Sequence, residues 1–272
     1  MDLSSVRTVR QPRSRTELAL DPGESFLAGG TWLYSEPQPE VTGLVDLTAL
    51  AWPSLTVTPA GLEIAATCTL AELLRLPPQP GWRAQELFSS CVNSLVASFK
   101  IFSSATVGGN LCTALPAGAL IALTAALDGT AEVWTADGGD RRLPVVDLVL
   151  GPQRTALAPG ELLRAVHLRA TALQAKTAYR KIALTPLGRS GSLVIGRVDP
   201  DGSAVLTVTA ATPRPIQLRY AGLPDTATLG RDVAGIGDWY DDPHGTPAWR
   251  AHVTALLAEE VRQELATGSE PG

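Results

Sequence analysis

The stretch F-S-S-A-T-V-G-G-N-L-C-T-A-L-P-A-G, Phe102 to Gly118, sets two adjacent glycines between small hydroxyl residues and an Asn-Leu-Cys-Thr run. Paired glycines lift the Cβ restriction on φ and let another object lie against the peptide N–H groups, at an entropic cost to folding. Phosphate is the commonest such object. A tight strand-to-helix turn uses glycine for the same conformational reason, so one pair leaves two readings open. A second pair lies about eighty residues earlier in L-A-G-G-T-W, Leu27 to Trp32, again beside a hydroxyl residue. Two such segments with matching chemistry predict two loops closing on one diphosphate.

Composition bounds what surrounds them. The 272 residues, 45% hydrophobic and 18% charged, suit a globular protein of one large or two ordinary domains, and we expect two. A net charge of −5 opposes nucleic-acid binding, which needs a basic face. The longest apolar run, Leu115 to Leu127, is 13 residues and holds a proline, too short for a membrane span. Arg7, Arg10, Arg13 and Arg15 have no apolar stretch behind them, so a secretory signal is not expected and the cytoplasm is the default. Cys68, Cys91 and Cys112 are odd in number and widely spaced, which predicts reduced, buried thiols.

Along the chain, S-S-V-R-T-V, S-R-T-E-L-A-L and S-F-L-A-G-G read as strand, short helix and strand running into a turn, a small βαβ unit that L-V-D-L-T-A-L extends. Gly29-Gly30-Thr31 then sits where a strand ends and a helical turn begins. L-T-V-T-P-A-G-L-E-I-A-A-T reads as a hairpin. E-L-F-S-S-C-V-N-S-L-V-A-S-F places Phe88, Cys91, Leu95 and Phe99 on one helix face. P-A-G-A-L-I-A-L-T-A-A-L predicts a helix with Pro116 in its first turn. A-E-V-W-T-A-D-G-G-D-R-R-L-P-V-V-D-L-V predicts a second hairpin, and L-L-R-A-V-H-L-R-A a strand ending at a domain boundary near Ala170. Beyond it, strands at K-T-A-Y-R-K-I-A-L, around the turn Asp199 to Gly202, and at I-Q-L-R-Y-A-G precede a long helix capped by Thr246 with Pro247 first.

No G-x-x-x-x-G-K-[ST] and no strand-linked G-x-G-x-x-G occurs, and the cysteines have no C-x-x-C spacing for zinc or an iron–sulfur cluster. His167, His244 and His252 are isolated; D-D-P-H-G reads as a loop with helix-capping acids.

Taken in order, L-A-G-G-T followed by L-V-D-L, then S-A-T-V-G-G-N-L-C-T-A-L-P-A-G, Y-R-K-I-A-L-T-P-L-G-R and D-D-P-H-G-T-P-A-W-R resemble the FAD-binding (medium) subunit of molybdenum hydroxylases, the xanthine dehydrogenase and carbon monoxide dehydrogenase group. The resemblance covers almost the whole chain. It implies an α+β fold: a two-lobed FAD-binding domain of the PCMH type over 1–170, with a small βαβ lobe to about 54 and a larger antiparallel lobe from 55, followed by a smaller α+β C-terminal domain over 171–272. It implies FAD between the lobes, with Ala28, Gly29, Gly30, Thr31 and Trp32 as one pyrophosphate loop and Thr106, Val107, Gly108, Gly109 and Asn110 as the other. Thr113 falls near the ribityl or phosphate oxygens, and Leu157 and Lys181, or Arg180 in its stead, against the isoalloxazine ring. The chain departs from the family's usual residues at Trp32 and at Ile101-Phe102-Ser103, beside the expected cofactor.

The implied role is electron transfer, with a 2Fe-2S ferredoxin-like subunit and a molybdopterin-binding large subunit as partners and no catalytic residue or metal site on this chain. A self-contained flavin-dependent oxidoreductase is the alternative, and it needs a proton donor beside the ring. A flavin-free interaction protein is the third reading, opposed by the intact glycines.

Overall fold

The computed structural model describes residues 4–267. It begins with a three-stranded parallel sheet, β1 (Thr8–Arg10), β2 (Glu24–Leu27) and β3 (Gly43–Asp46), in the order β1-β3-β2. The helix expected between the first two strands shrinks to one 3-10 turn, Arg15–Glu17, where the Glu17 carboxylate is turned back onto the Arg13 N–H and the Ser14 hydroxyl. The strand expected through L-V-D-L-T-A-L stops at Asp46, because its carboxylate accepts from both the N–H and the hydroxyl of Thr48 and starts a 3-10 turn instead.

The next sheet has five antiparallel strands, β4 (Leu55–Thr58), β5 (Gly61–Ala65), β6 (Thr130–Trp134), β7 (Asp140–Pro144) and β10 (Leu162–Arg169), in the order β4-β5-β10-β6-β7. Both expected hairpins are present; Gly61 at φ +138° and Gly138 at φ +88° adopt turn conformations that a side chain disfavours. The sheet's inner face carries Leu62, Ile64, Ala131, Val133, Val166 and Leu168. Helices α1 (Leu70–Leu74), α2 (Glu86–Asn93), α3 (Phe99–Ser104), α4 (Val107–Thr113) and α5 (Ala119–Ala126) lie in the long connection between β5 and β6. A short helix α6 (Val145–Leu148) and the small ribbon β8 (Val149–Gly151) and β9 (Arg154–Thr155) complete this part.

Two helices differ from the sequence reading. α2 ends at Asn93 instead of running to Phe99: Val96 takes the left-handed conformation at φ +51°, and Phe99 is 77% exposed at the start of α3. α5 begins after Gly118, because the Pro116 carbonyl is drawn off to accept from the Ala210 N–H.

The chain continues through α7 (Ala170–Gln174) into an antiparallel sheet in sequential order, β11 (Lys176–Ile182), β12 (Ser192–Val198), β13 (Ala204–Thr209) and β14 (Ile216–Tyr220). α8 (Thr226–Ala234) and α9 (Pro247–Thr267) cover one face. α5 packs on the other against β12 and β13, and its all-round burial follows, since it is enclosed on every side. One apolar core therefore runs from Leu62 through α5 to Leu193, Ile195 and Ala210.

Candidate functional site

The glycine pairs sit opposite one another. After β2 the chain turns through Ala28 to Ser35; the Gly30 carbonyl accepts from the Tyr34 N–H at 2.8 Å, and Gly30 holds φ +68°. The N–H groups of Gly29, Gly30, Thr31, Trp32 and Leu33 have no hydrogen-bond partner among the described residues. Five consecutive unspent donors around a left-handed residue make a backbone nest, an arrangement that accepts anions. A side chain at Gly29 is excluded by protein, since a Cβ there falls 1.8 Å from the Ser104 carbonyl oxygen.

The second pair is built differently from the expected loop. Thr106 caps α4 by accepting from the Gly109 N–H at 3.0 Å, so Gly108 and Gly109 lie in the first helical turn. Val107 N–H donates to Cys68 O at 2.8 Å and Gly108 N–H to Ala66 O at 2.9 Å. These donors are spent, so this segment does not offer the free backbone of the first. Gly108 is bare because Ala66 leaves no room, its backbone oxygen 2.7 Å from where a Cβ would stand. Gly109 is bare toward open space: a Cβ there meets only the Thr106 hydroxyl, at 2.9 Å.

Between the two segments opens a cavity of about 780 Å³, toward the upper end of the ~300–1,000 Å³ usual for cofactor sites. Its walls come from all three sheets' surroundings: Glu24 to Leu33, Ser94 to Gly118 in part, Gln153 to Leu163 in part, and Leu187 with Arg189 and Ser190. Of the residues singled out from sequence, Ala28, Gly29, Gly30, Thr31, Trp32, Thr106, Gly108, Gly109, Asn110, Thr113 and Leu157 line it. Val107 does not; its side chain is wholly buried in the core. Nor does Lys181, whose Nζ donates to the Ser94 carbonyl at 3.3 Å while desolvation pulls its pKa down. Arg180, its alternative, is committed to Glu260 and Glu264. Asn110 accepts from the Leu120 N–H at 2.9 Å and so fixes α5 on α4, and the Thr113 hydroxyl donates to Gly109 O at 2.7 Å.

The cavity's charges are few. Glu24 accepts from Arg10 at 2.7 Å, and that hydrogen bond, aided by the Asp21 N–H, holds its carboxyl below the ordinary value. Glu161 is held low in the same way by Arg141. Arg189, the last residue of the Y-R-K-I-A-L-T-P-L-G-R segment but not singled out from it, is the one lining charge with no hydrogen bond or ion pair among the described residues. Cys68 and Cys91 are buried as expected, burial pushing Cys68 up to about 12. Cys112 is not: its surface opens on the cavity, although packed protein around it also pushes the thiol up to about 12.

Residues 10–169 match the family described as the FAD binding domain in molybdopterin dehydrogenase. Xanthine dehydrogenases 1 and 2 of Arabidopsis thaliana are each 28% identical over 121 residues, 42% of this chain and 9% of theirs, so the chain spans a small part of those relatives. A chain in the structure of reconstituted CO dehydrogenase from Oligotropha carboxidovorans superposes with TM-score 0.81 at 21% identity, covering 97% of this chain and 98% of that one. A chain of quinoline 2-oxidoreductase from Pseudomonas putida 86 superposes with TM-score 0.78 at 21% identity, covering 96% and 97%. At these identities the superpositions establish a common fold. The family match, spanning more than half of the chain, together with the donor-lined cavity within it, identifies this protein as a member of the FAD-binding family of molybdopterin dehydrogenases.

Proposed function

We propose that the chain is the FAD-binding electron-transfer subunit of a multi-subunit molybdenum hydroxylase, and thus the flavoprotein part of an oxidoreductase. Its partners in this reading are a 2Fe-2S ferredoxin-like subunit that delivers electrons and a molybdopterin-binding large subunit that oxidises the substrate. Bound FAD supplies the two-electron chemistry that joins this relay to an external acceptor. The observation that carries the proposal is the run of N–H groups without a partner among the described residues, Gly29 to Leu33, lining one cavity together with the bare side of Gly109.

The nest, Gly29 to Leu33 with Trp32 among its donors and Ala28 before it, would hold the diphosphate. Gly109 lets the cofactor approach α4, and Thr106 can release its hold on the Gly109 N–H by rotation about χ1. Gly108, Asn110 and Val107 serve by fixing α4 against Ala66, α5 and Cys68. Thr113 and Leu157 flank the far end of α4, where apolar side chains exclude water. Lys181 acts at one remove, holding the Ser94 backbone. Both lining carboxylates are paired with arginine, so no free carboxylic acid lines the site among the described residues. That favours electron transfer over a self-contained flavin oxidoreductase. The division at about 54 and 170 rests on the three sheets, each drawn from one contiguous stretch. Cytoplasmic residence rests on the unpaired cysteines; no described helix is long and apolar enough to cross a membrane.

Purification of the chain from its native source tests the assignment. FAD, a small cysteine-rich chain and a large chain are expected to accompany it. Turnover of an organic substrate by the isolated chain would contradict it in favour of the self-contained enzyme.

A further inference from the structure

The segment D-D-P-H-G-T-P-A-W-R is distant in sequence from every cavity wall, yet the fold connects it to two of them. Arg250, in the first turn of α9, is 1% exposed. Its Nε donates to Gly245 O at 2.9 Å, its Nη1 donates to Gly191 O at 2.7 Å and also to Ala210 O, and its Nη2 pairs with Asp242. The Trp249 ring lies where a Cβ of Gly191 or Gly245 would stand, 2.5 Å and 2.6 Å away. Gly191 follows Arg189 and Ser190, which line the cavity. Ala210, left-handed at φ +64°, donates its N–H to Pro116 O at 2.8 Å, immediately before the lining residues Ala117 and Gly118. One buried guanidinium thus ties together the 189–191 and 116–118 walls.

We propose that Arg250 is a positioning residue for the cofactor: it holds the Arg189–Ser190 wall in place so that the charge of Arg189, which has no partner among the described residues, stays at the cavity and favours the reduced, more negative form of the bound FAD. This rests on the FAD reading above. An arginine suits the clamp because its rigid fork serves several carbonyls and a carboxylate at once, which lysine's single ammonium cannot. Removing it leaves Gly191 O and Ala210 O without a shared donor in the interior, a cost relieved by movement of the wall. Arg189 acts through space; it is exposed, so solvent screens its charge and the expected shift in the equilibrium of a group held in the cavity is about an order of magnitude.

The test is a spectroelectrochemical titration of the FAD-loaded full chain in four forms: wild type, Arg189→Gln, Arg250→Met and Leu257→Ala. Leu257 lies in the same C-terminal core and is not among the residues that line the cavity, so it controls for loss of stability alone. We expect the affinity ratio of reduced over oxidised FAD to fall about tenfold in Arg189→Gln, equivalent to about 30 mV for a two-electron couple. Arg250→Met is expected to give a similar fall, the two changes combined little more than either alone, and Leu257→Ala none. If Arg250→Met does not fold, Arg250→Lys takes its place with the same expectation. An unchanged ratio in Arg189→Gln, or in a folded Arg250 variant, overturns the proposal, as does an equal shift in Leu257→Ala. Failure of the wild-type chain to take up FAD is a separate outcome, which overturns the functional reading and this inference with it.

Discussion

A side chain added at Gly108 and one added at Gly109 meet different surroundings, and the difference separates folding from binding. Gly108→Ala drives a methyl into the Ala66 backbone and is expected to cost about 1–3 kcal/mol of stability, read by denaturant melts with and without FAD. Gly109→Ala displaces only the Thr106 cap, worth about 1 kcal/mol, while placing its methyl in the cavity. The cysteines give a second residue-scale check. Cys112 alone opens on the cavity, so titration with a small thiol reagent should modify one equivalent in the apo chain, slowly because the thiol is held near 12, and FAD should protect it. Modification unaffected by saturating FAD would contradict the placement of Cys112. At this scale the sequence announced the bare positions but not their reasons: Gly29 and Gly108 yield to neighbouring protein, and only contacts distant in sequence reveal that.

Among the elements, α4 carries the site; the paired glycines make the segment read as an anion-binding loop, and two glycines and a β-branched valine in seven residues are indeed poor helix formers. Tertiary contacts override that propensity: the strand-like bridge between Thr69 and Thr106 and the bonds from Val107 and Gly108 to the β5–α1 connection fix the first turn. A local signal was present in Thr106, three residues before the donor that it caps. The same signal, Thr69 with Glu72 in a complete capping box, marks α1. The periodic elements with clear turn chemistry were legible: the hairpins around Gly61, Gly138 and Gly202, and α9 behind Thr246 and Pro247. α2 reads longer from sequence than it is because Leu95 and Phe99 continue its spacing, while the left-handed Val96 that breaks it has no sequence mark. Thr106→Ala tests the cap: we expect a loss of about 1 kcal/mol in stability with FAD binding retained, since the freed Gly109 N–H then faces the cavity unspent.

Across the whole molecule, the FAD-binding part and the C-terminal sheet are joined at the end of α5. Arg197 donates to Ala126 O and Gln217 to Ala125 O, each at 2.7 Å, and Asp128 bridges Arg197 and Arg219 at 2.5 Å. Burial alone would raise the Asp128 pKa; the hydrogen bonds from Arg219 and Arg197 outweigh it and hold the carboxyl at about 2. A depressed folded-state pKa contributes stability above the unfolded value near 3.8 that is lost as pH falls through about 2. Asp128→Asn should therefore destabilise the chain by about 2 kcal/mol at pH 7, with the difference from wild type closing toward pH 2 in thermal melts. The shared core across this junction is where the sequence was least informative, since no local pattern says that α5 packs against β12 and β13. The central claim, that FAD occupies the space between the nest and α4, is tested most directly by the melting temperature of Gly109→Val with and without FAD. Wild type at a hundredfold excess over Kd should gain about 2.7 kcal/mol, several degrees, by linkage. Gly109→Val should keep a cooperative melt and a native far-UV spectrum while showing no rise with FAD; a folded variant that FAD stabilises as fully as wild type would contradict the account.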